Sequence, residues 1–238
     1  MTGASVTTTG VGVRFQFDRQ SRVVSPQLAR LRRRGDESWG VRDVTVPIAP
    51  GEGVALVGAS GSGKTTLLRL IAGILQADAG RVDVKGRVAS LLSVEAGLTA
   101  ELTGRENAML IGVLDGLTRR EVRRLLGEIR ELAGLEDEFD HPVSSYSQGM
   151  RARLGFAVVA RAEPELLLLD EVHEALDHEF RSVVEEFTQG LLARGGAVVA
   201  TGHDHALLAR ICDRGLFLRE GHLAADGSLG EVVRAYVG

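Results

Sequence analysis

The sequence predicts an α/β fold whose largely parallel sheet is interrupted by a block of helices. Three observations predict it. The glycine-rich stretch GASGSGKTT (58–66) follows the apolar run GEGVALV (51–57) and precedes TTLLRLIAGIL, whose apolar residues recur at helical spacing. After residue 165 short apolar runs return as ELLLLD, GGAVVATG and RGLFLREG, each followed by a turn or helix. Between about 100 and 160, ELTGRENAMLIGVLDGL and TRREVRRLLGEIRELAGL step apolar residues by three and four, with glycine stops. Strands alternating with helices around such a loop call for a parallel sheet covered on both faces.

The N-terminal third is strand-like: VGVRFQF, GVRDVTVPI, the strand into the glycine-rich loop, then GRVDVKGRVASLL (80–92) with a turn at Lys85-Gly86. With 238 residues the chain is read as one domain, 1–238. A helical subdomain at about 95–160 is inserted between 1–94 and 161–238. A 44% hydrophobic and 25% charged composition is ordinary globular material. No run approaches the roughly eighteen apolar residues of a membrane span. The single cysteine, Cys212, excludes an internal disulfide and suits a reducing cytosol. A net charge of −4 argues against nucleic acid as a partner. The exception is local: residues 19–34 hold six arginines and no acid. That segment could touch phosphate-bearing lipid heads or an acidic partner loop, but the plainer reading, a solvated loop or short helix, is favoured.

Lys64 and Lys85 are the only lysines among 28 basic residues, so the lysine in the glycine-rich loop needs a reason. The stretch fits G-x-x-x-x-G-K-[ST], in a strand–loop–helix context. Gly58, Ser60, Gly61, Ser62, Gly63, Lys64, Thr65 and Thr66 are the residues expected to bind nucleotide. Glycines let backbone N–H groups turn inward, and the helix N-terminus adds partial positive charge. An ammonium on a flexible stem reaches between β- and γ-phosphates where a wide guanidinium does not fit. The Thr65 hydroxyl is the expected Mg²⁺ ligand from this loop. A flexible Gly/Ser linker would not be flanked by a buried strand and an amphipathic helix.

ELLLLDE (165–171) reads as a buried strand ending in two carboxylates. Ionised carboxylates resist burial, and at the C-terminal edge of a parallel sheet they face the ligand crevice. Asp170 is assigned to the Mg²⁺ shell and Glu171 to polarising an attacking water. YSQGMRARL (146–154) opens a helix, with Ser147 and Gly149 forming a second small anion-binding surface. Many helices begin with such a serine cap. Its company tips the balance: the glycine-rich loop, then this helix start, then strand-Asp-Glu, then EALD, then TGHD.

In that order and over essentially its full length, the chain resembles the nucleotide-binding subunits of ABC transporters. Ser147-Gln148-Gly149-Met150 resembles the ABC signature, Asp177 of EALD the D-loop aspartate, and His203 of TGHD the switch histidine. A metal pair of His203 and His205 has no further Cys/His cluster to support it. YSQGMRARLGFAV, AELTGRENAMLIGVLDGLTRREV and the ending CDRGLFLREGHLAADGSLGEVVRAY are most similar to the branch that exports polysaccharides and polyol phosphates: teichoic acid, O-antigen and capsule. Members of that branch also carry a basic insertion between the first strands. The Q-loop glutamine of ordinary ABC subunits falls here on Ser93 or Val94, with Glu95 beside them. Phe15 is the aromatic chosen to stack on adenine, with Phe17 and Trp39 behind it.

The resemblance implies a P-loop NTPase core with a RecA-like parallel sheet, an N-terminal antiparallel β subdomain and the inserted helical subdomain. It implies ATP and Mg²⁺ as cofactors, and catalytic roles for Glu171, His203 and Asp177. Ser147, Gln148 and Gly149 would face the nucleotide of a second copy in a homodimer. A separate integral membrane permease would be the partner, at the cytoplasmic face of the membrane. A lipid or drug efflux ATPase shares these features, and a soluble ABC regulator is the rival of another class. The single P-loop and the absence of sustained heptads disfavour the latter, and a non-ABC P-loop kinase would leave YSQGM unexplained.

Overall fold

The computed structural model describes residues 3–16, 37–92, 97–171 and 176–238. The described residues form two sheets. The first is antiparallel, ordered β2-β1-β4, from β1 (Ser5–Gln16), β2 (Glu37–Ile48) and β4 (Ala79–Lys85). The second is ordered β5-β6-β7-β3-β8-β9, from β3 (Gly53–Val57), β5 (Val88–Leu91), β6 (Leu166–Asp170), β7 (Ala197–Thr201), β8 (Arg214–Arg219) and β9 (His222–Ser228). It is parallel from β5 through β8, and only β9 runs antiparallel, against β8.

The central strands β3, β6 and β7 are buried at every residue. This is why they read as continuous apolar runs without alternation. One face of the parallel sheet (Ala55, Val57, Leu167, Leu169, Val198, Ala200) packs on helices α4 (Gln148–Arg161), α5 (His178–Ala193) and α7 (Leu229–Val237). The other face (Val54, Leu56, Leu166, Leu168, Val199, Leu216) packs on α1 (Lys64–Ile71) and on the valines of the antiparallel sheet.

The antiparallel sheet departs from simple alternation. Buried side chains of β1 are Val6 and Thr8, then Val11 and Val13; those of β2 are Val41, then Val44, Val46 and Ile48. Bulges interrupt the β1–β2 register, and Gly10 (φ 56°) and Asp43 (φ 54°) take left-handed backbone there. An extra residue in each strand shifts the inward-facing set by one. The β1 strand is longer than the VGVRFQF read from sequence, starting at Ser5 through a polar threonine run. A second difference falls at Lys85-Gly86. The turn there does not continue one sheet: β4 pairs with β1, while β5 pairs with β6 in the parallel sheet.

Between β5 and β6 lie α2 (Gly104–Leu114), α3 (Arg119–Ala133) and α4. They share a core of their own, including Ile111, Val122, Ile129, Phe139 and Leu154. The LTGREN string is a helix start: Thr103 and Glu106 form a reciprocal capping box, repeated by Thr118 and Glu121 on α3. These hydroxyl and backbone hydrogen bonds hold the carboxyls of Glu106 and Glu121 below their usual range. Asn107 is fully buried, and its side chain donates to the Thr99, Leu102 and Thr103 carbonyls while accepting from the Thr99 N–H. Helix α4 belongs to two cores, with Phe156 and Val159 on the sheet side and Leu154 and Val158 on the helical side.

Candidate active site

The strand order sets β6, β7 and β3 side by side, so their C-terminal ends open onto one edge. With neighbouring strands about 4.8 Å apart, the ends of β3 and β6 lie about 10 Å from each other with β7 between. Each end delivers one piece of chemistry.

From β3 the chain enters the glycine-rich loop. Gly58 (φ 150°) and Gly63 (φ 107°) take backbone that favours glycine. A Cβ at Gly58 would overlap the Leu218 carbonyl, and one at Gly63 the Gly40 carbonyl. The loop is therefore pressed against β8 and β2. It is also tied by the Gly221 N–H, which donates to the Ser62 carbonyl at 3.0 Å. No side chain among the described residues caps α1, whose N-cap is Gly63, so its first N–H groups remain for a ligand. Lys64 is only 7% exposed, and its Nζ donates to the carbonyls of Gly58 (2.7 Å) and Ala59 (3.1 Å). The ammonium is thus folded over the nest that Gly58, Ser60, Gly61, Ser62 and Gly63 outline. Thr65 and Thr66 follow in the first turn of α1.

From β6 come Asp170 and Glu171. Asp170 is buried, and its Oδ1 accepts from Thr201 Oγ1 at 2.5 Å. Glu171 has φ 58°, a left-handed conformation that is uncommon outside glycine and turns the chain sharply off the strand. Its backbone N–H donates to the Thr201 carbonyl at 3.1 Å. Its Oε1 lies 3.1 Å from Nε2 of His203, both side chains being about half exposed or more. Thr201 ends β7, and Gly202 and His203 continue the chain from it. Three expected residues, Asp170, Glu171 and His203, are therefore brought together at adjacent strand ends.

The remaining expected residues sit around this centre. Asp177 caps α5, its Oδ1 accepting from the Phe180 N–H at 2.9 Å. Ser147 caps α4, its Oγ accepting from the Met150 N–H at 3.2 Å. Ser147 and Gln148 are exposed and Gly149 half-buried. Phe15 pairs with Ser38 across β1 and β2, and its ring lies against Gly40. A Cβ added at Gly40 would overlap that ring and stand 3.0 Å from the Thr66 methyl, so Phe15 borders the first turn of α1. Trp39, the alternative, is instead covered by the guanidinium groups of Arg14 and Arg42, 5.4 and 5.3 Å from its centroid. Phe17, the basic segment 19–34 and the Q-loop candidates Ser93, Val94 and Glu95 lie outside the described residues. His205 meets the Tyr236 ring edge-on at 5.9 Å, and no cluster of His, Cys, Asp or Glu suited to a metal occurs among the described residues.

The sequence reading missed Thr201 and the two glycines, Gly40 and Gly221, against which the loop packs. One signal was available: a threonine ends the apolar run AVVAT as an aspartate ends LLLLD. Pairing them needed the β6–β7 register, in which Asp170 faces Thr201.

A nucleotide-binding loop at the end of a central parallel strand, with a strand-terminal acid pair on the next strand but one, defines a P-loop nucleotide-binding fold. The sequence model of the ABC transporter family matches residues 41–174, and the chain belongs to that family. It is 35% identical to the O-antigen export system ATP-binding protein RfbB of Klebsiella pneumoniae, over 90% of this chain and 87% of that protein. It is 33% identical to the teichoic acids export ATP-binding protein TagH of Listeria monocytogenes, over 83% of this chain and 59% of that one. Among solved structures it is similar to the dimeric, post-hydrolysis ATP-binding cassette MJ0796 bound to ADP and Pi. The TM-score is 0.77 at 22% identity, over 94% of this chain and 98% of that one. No helix among the described residues is long and apolar enough to cross a membrane.

Proposed function

We propose that this chain is the ATP-hydrolysing subunit of an ABC exporter, powering a separate integral membrane permease that exports a lipid-linked polysaccharide or polyol phosphate such as O-antigen or teichoic acid. The observation that carries the ATPase reading is the meeting of Asp170, Glu171 and His203 beside the Lys64 loop. The cargo reading rests on the relatives that serve O-antigen and teichoic acid export.

The residues fit the groups this reading requires. The uncapped α1 N-terminus and the Lys64 ammonium make an anion cradle, and the ammonium exchanges the Gly58 and Ala59 carbonyls for phosphate oxygens. The Thr65 hydroxyl and the Asp170 carboxylate are hard oxygen donors. A pair this small suits an ion that keeps several waters and takes the rest of its shell from phosphates. Bound there, Mg²⁺ would neutralise charge across the β- and γ-phosphate oxygens. Glu171 takes a proton from the attacking water, and His203 holds its carboxylate at 3.1 Å. Phe15 stacks on the adenine ring.

Ser147, Gln148 and Gly149 serve the nucleotide of a second copy, in a homodimer that closes on two ATP molecules. The exposure of Ser147 and Gln148 at the start of α4 supports this, as does the dimeric state of the MJ0796 cassette. Asp177, at the start of α5, lies at the same interface. Residues about 95–160 form the inserted helical subdomain of the single domain, and the assembly works at the cytoplasmic face of the membrane.

The test is to copurify the chain with its permease and measure ATP hydrolysis in vesicles with and without lipid-linked polysaccharide. Stimulation by the glycan lipid supports the reading. Stimulation only by simple lipids or hydrophobic drugs would replace it with an efflux function.

A further inference from the structure

Thr201 is the last residue of β7 and is fully buried. The rest of its strand, Ala197–Ala200, is apolar, and valine has nearly the same shape. A hydroxyl placed there loses hydration and is costly unless it is hydrogen-bonded. Its hydroxyl is bonded to the Asp170 carboxylate at 2.5 Å, in the pair where Asp170 faces Thr201 across parallel strands. The carbonyl of the same residue accepts the Glu171 N–H at 3.1 Å, and Glu171 is the residue with φ 58°. Two residues further on stands His203, 3.1 Å from the Glu171 carboxylate.

From this we infer that Thr201 is a positioning residue that sets both acids at once, orienting the Asp170 carboxylate through its hydroxyl and the Glu171 turn through its carbonyl. The inference rests on the reading of Asp170 as a Mg²⁺ ligand. With Oδ1 accepting from Thr201, rotation of the carboxylate is restricted, so its remaining lone pairs are offered to the ion in a fixed direction. The carbonyl arm survives any substitution, so side-chain variants isolate the hydroxyl arm.

The experiment measures affinity of the full chain for a fluorescent ADP analogue as Mg²⁺ is titrated, with thermal unfolding as a check on folding. Thr201→Val should raise the Mg²⁺ concentration for half-maximal tightening by roughly ten-fold, the usual size of a lost hydrogen bond to a charged group. Affinity without Mg²⁺ depends on Lys64 and the loop, and it should stay within about two-fold. Thr201→Ser keeps the donor and should restore the Mg²⁺ response. In an Asp170→Asn background Thr201→Val should have no further effect, because the hydroxyl acts through that carboxylate. If Thr201→Val does not fold, Thr201→Ala takes its place with the same expectation. A Mg²⁺ response in either variant equal to that of the native chain overturns the inference and leaves the ATPase reading intact. A native chain whose nucleotide affinity ignores Mg²⁺ overturns both.

Discussion

The His203 imidazole Nε2 stands 3.1 Å from Oε1 of Glu171, a contact made between the ends of neighbouring strands β6 and β7. It joins the proposed base to the proposed switch within one chain, before any partner closes. Removing the base while keeping its shape therefore separates chemistry from assembly. Glu171→Gln should lower the hydrolysis rate about 10²- to 10⁴-fold and leave ATP binding in place. Loss of a negative charge beside the γ-phosphate also favours closure. The variant should accumulate as an ATP-loaded dimer in size-exclusion chromatography with light scattering. Near-native hydrolysis would take Glu171 out of the mechanism.

Lys64→Arg keeps the charge but not the reach. The native ammonium is buried within 3.1 Å of two loop carbonyls, a space shaped for a compact head. Nucleotide affinity should fall on the order of a hundred-fold, as when a charged hydrogen bond is lost and its site is crowded. Calorimetric titration with ATP checks this. Unchanged affinity would mean that charge alone is what position 64 supplies.

Ser147→Arg places a bulky cation at the exposed start of α4. Hydrolysis should be abolished, while ATP affinity of the monomer stays within about two-fold, because the residue serves the other copy. Equal loss of monomer binding would show that the signature acts on its own chain's nucleotide.

Asp115, which caps the C-terminal end of α2, carries the clearest pH signature. Burial pushes its carboxyl from 3.8 up to about 6, and its Oδ2 is buried without a hydrogen-bond partner among the described residues. The folded chain holds this proton between pH 4 and 6 where the unfolded chain has released it. The stabilisation is full below pH 3.8 and is lost as pH rises through 6. Asp115→Asn should therefore stabilise the protein at pH 7.5 by ~1–2 kcal/mol, a figure reduced for partial exposure, and have little effect near pH 4. Urea unfolding at the two pH values measures the difference. A variant less stable than the native chain at pH 7.5 would assign the carboxylate a structural role.

Phe15 and Trp39 make a paired test. Phe15→Ala should weaken ATP binding about ten-fold through lost stacking, while Trp39→Ala, which removes a ring already covered by Arg14 and Arg42, should leave it within about two-fold. The reverse outcome would exchange their roles.

What was legible in the sequence is chemistry carried by contiguous residues. The glycine-rich loop, the Asp170-Glu171 pair and the serine helix start each announce themselves within one short string. The central strands were legible because burial on both faces leaves unbroken apolar runs. What escaped depends on partners distant along the chain. Thr201 has meaning only opposite Asp170, and Gly40 only beneath Phe15 and against Gly63. The turn at Lys85-Gly86 reads as a simple reversal because nothing local says that the strands on its two sides join different sheets. The bulges at Gly10 and Asp43 defeat a strict period of two for the same reason.

Helix α4 has no face to spare for solvent over most of its length, since one side belongs to the sheet and the other to the helical block. That makes it an axle. The helical block cannot swing without turning the rod that carries Ser147 at its tip. Fourteen residues give a lever of about 21 Å, so a tilt of about 5° about the far end moves that tip by about 2 Å. A displacement of that size is the difference between a hydrogen bond and none. The tip of α4 is therefore where a small tilt of the helical block has its largest effect.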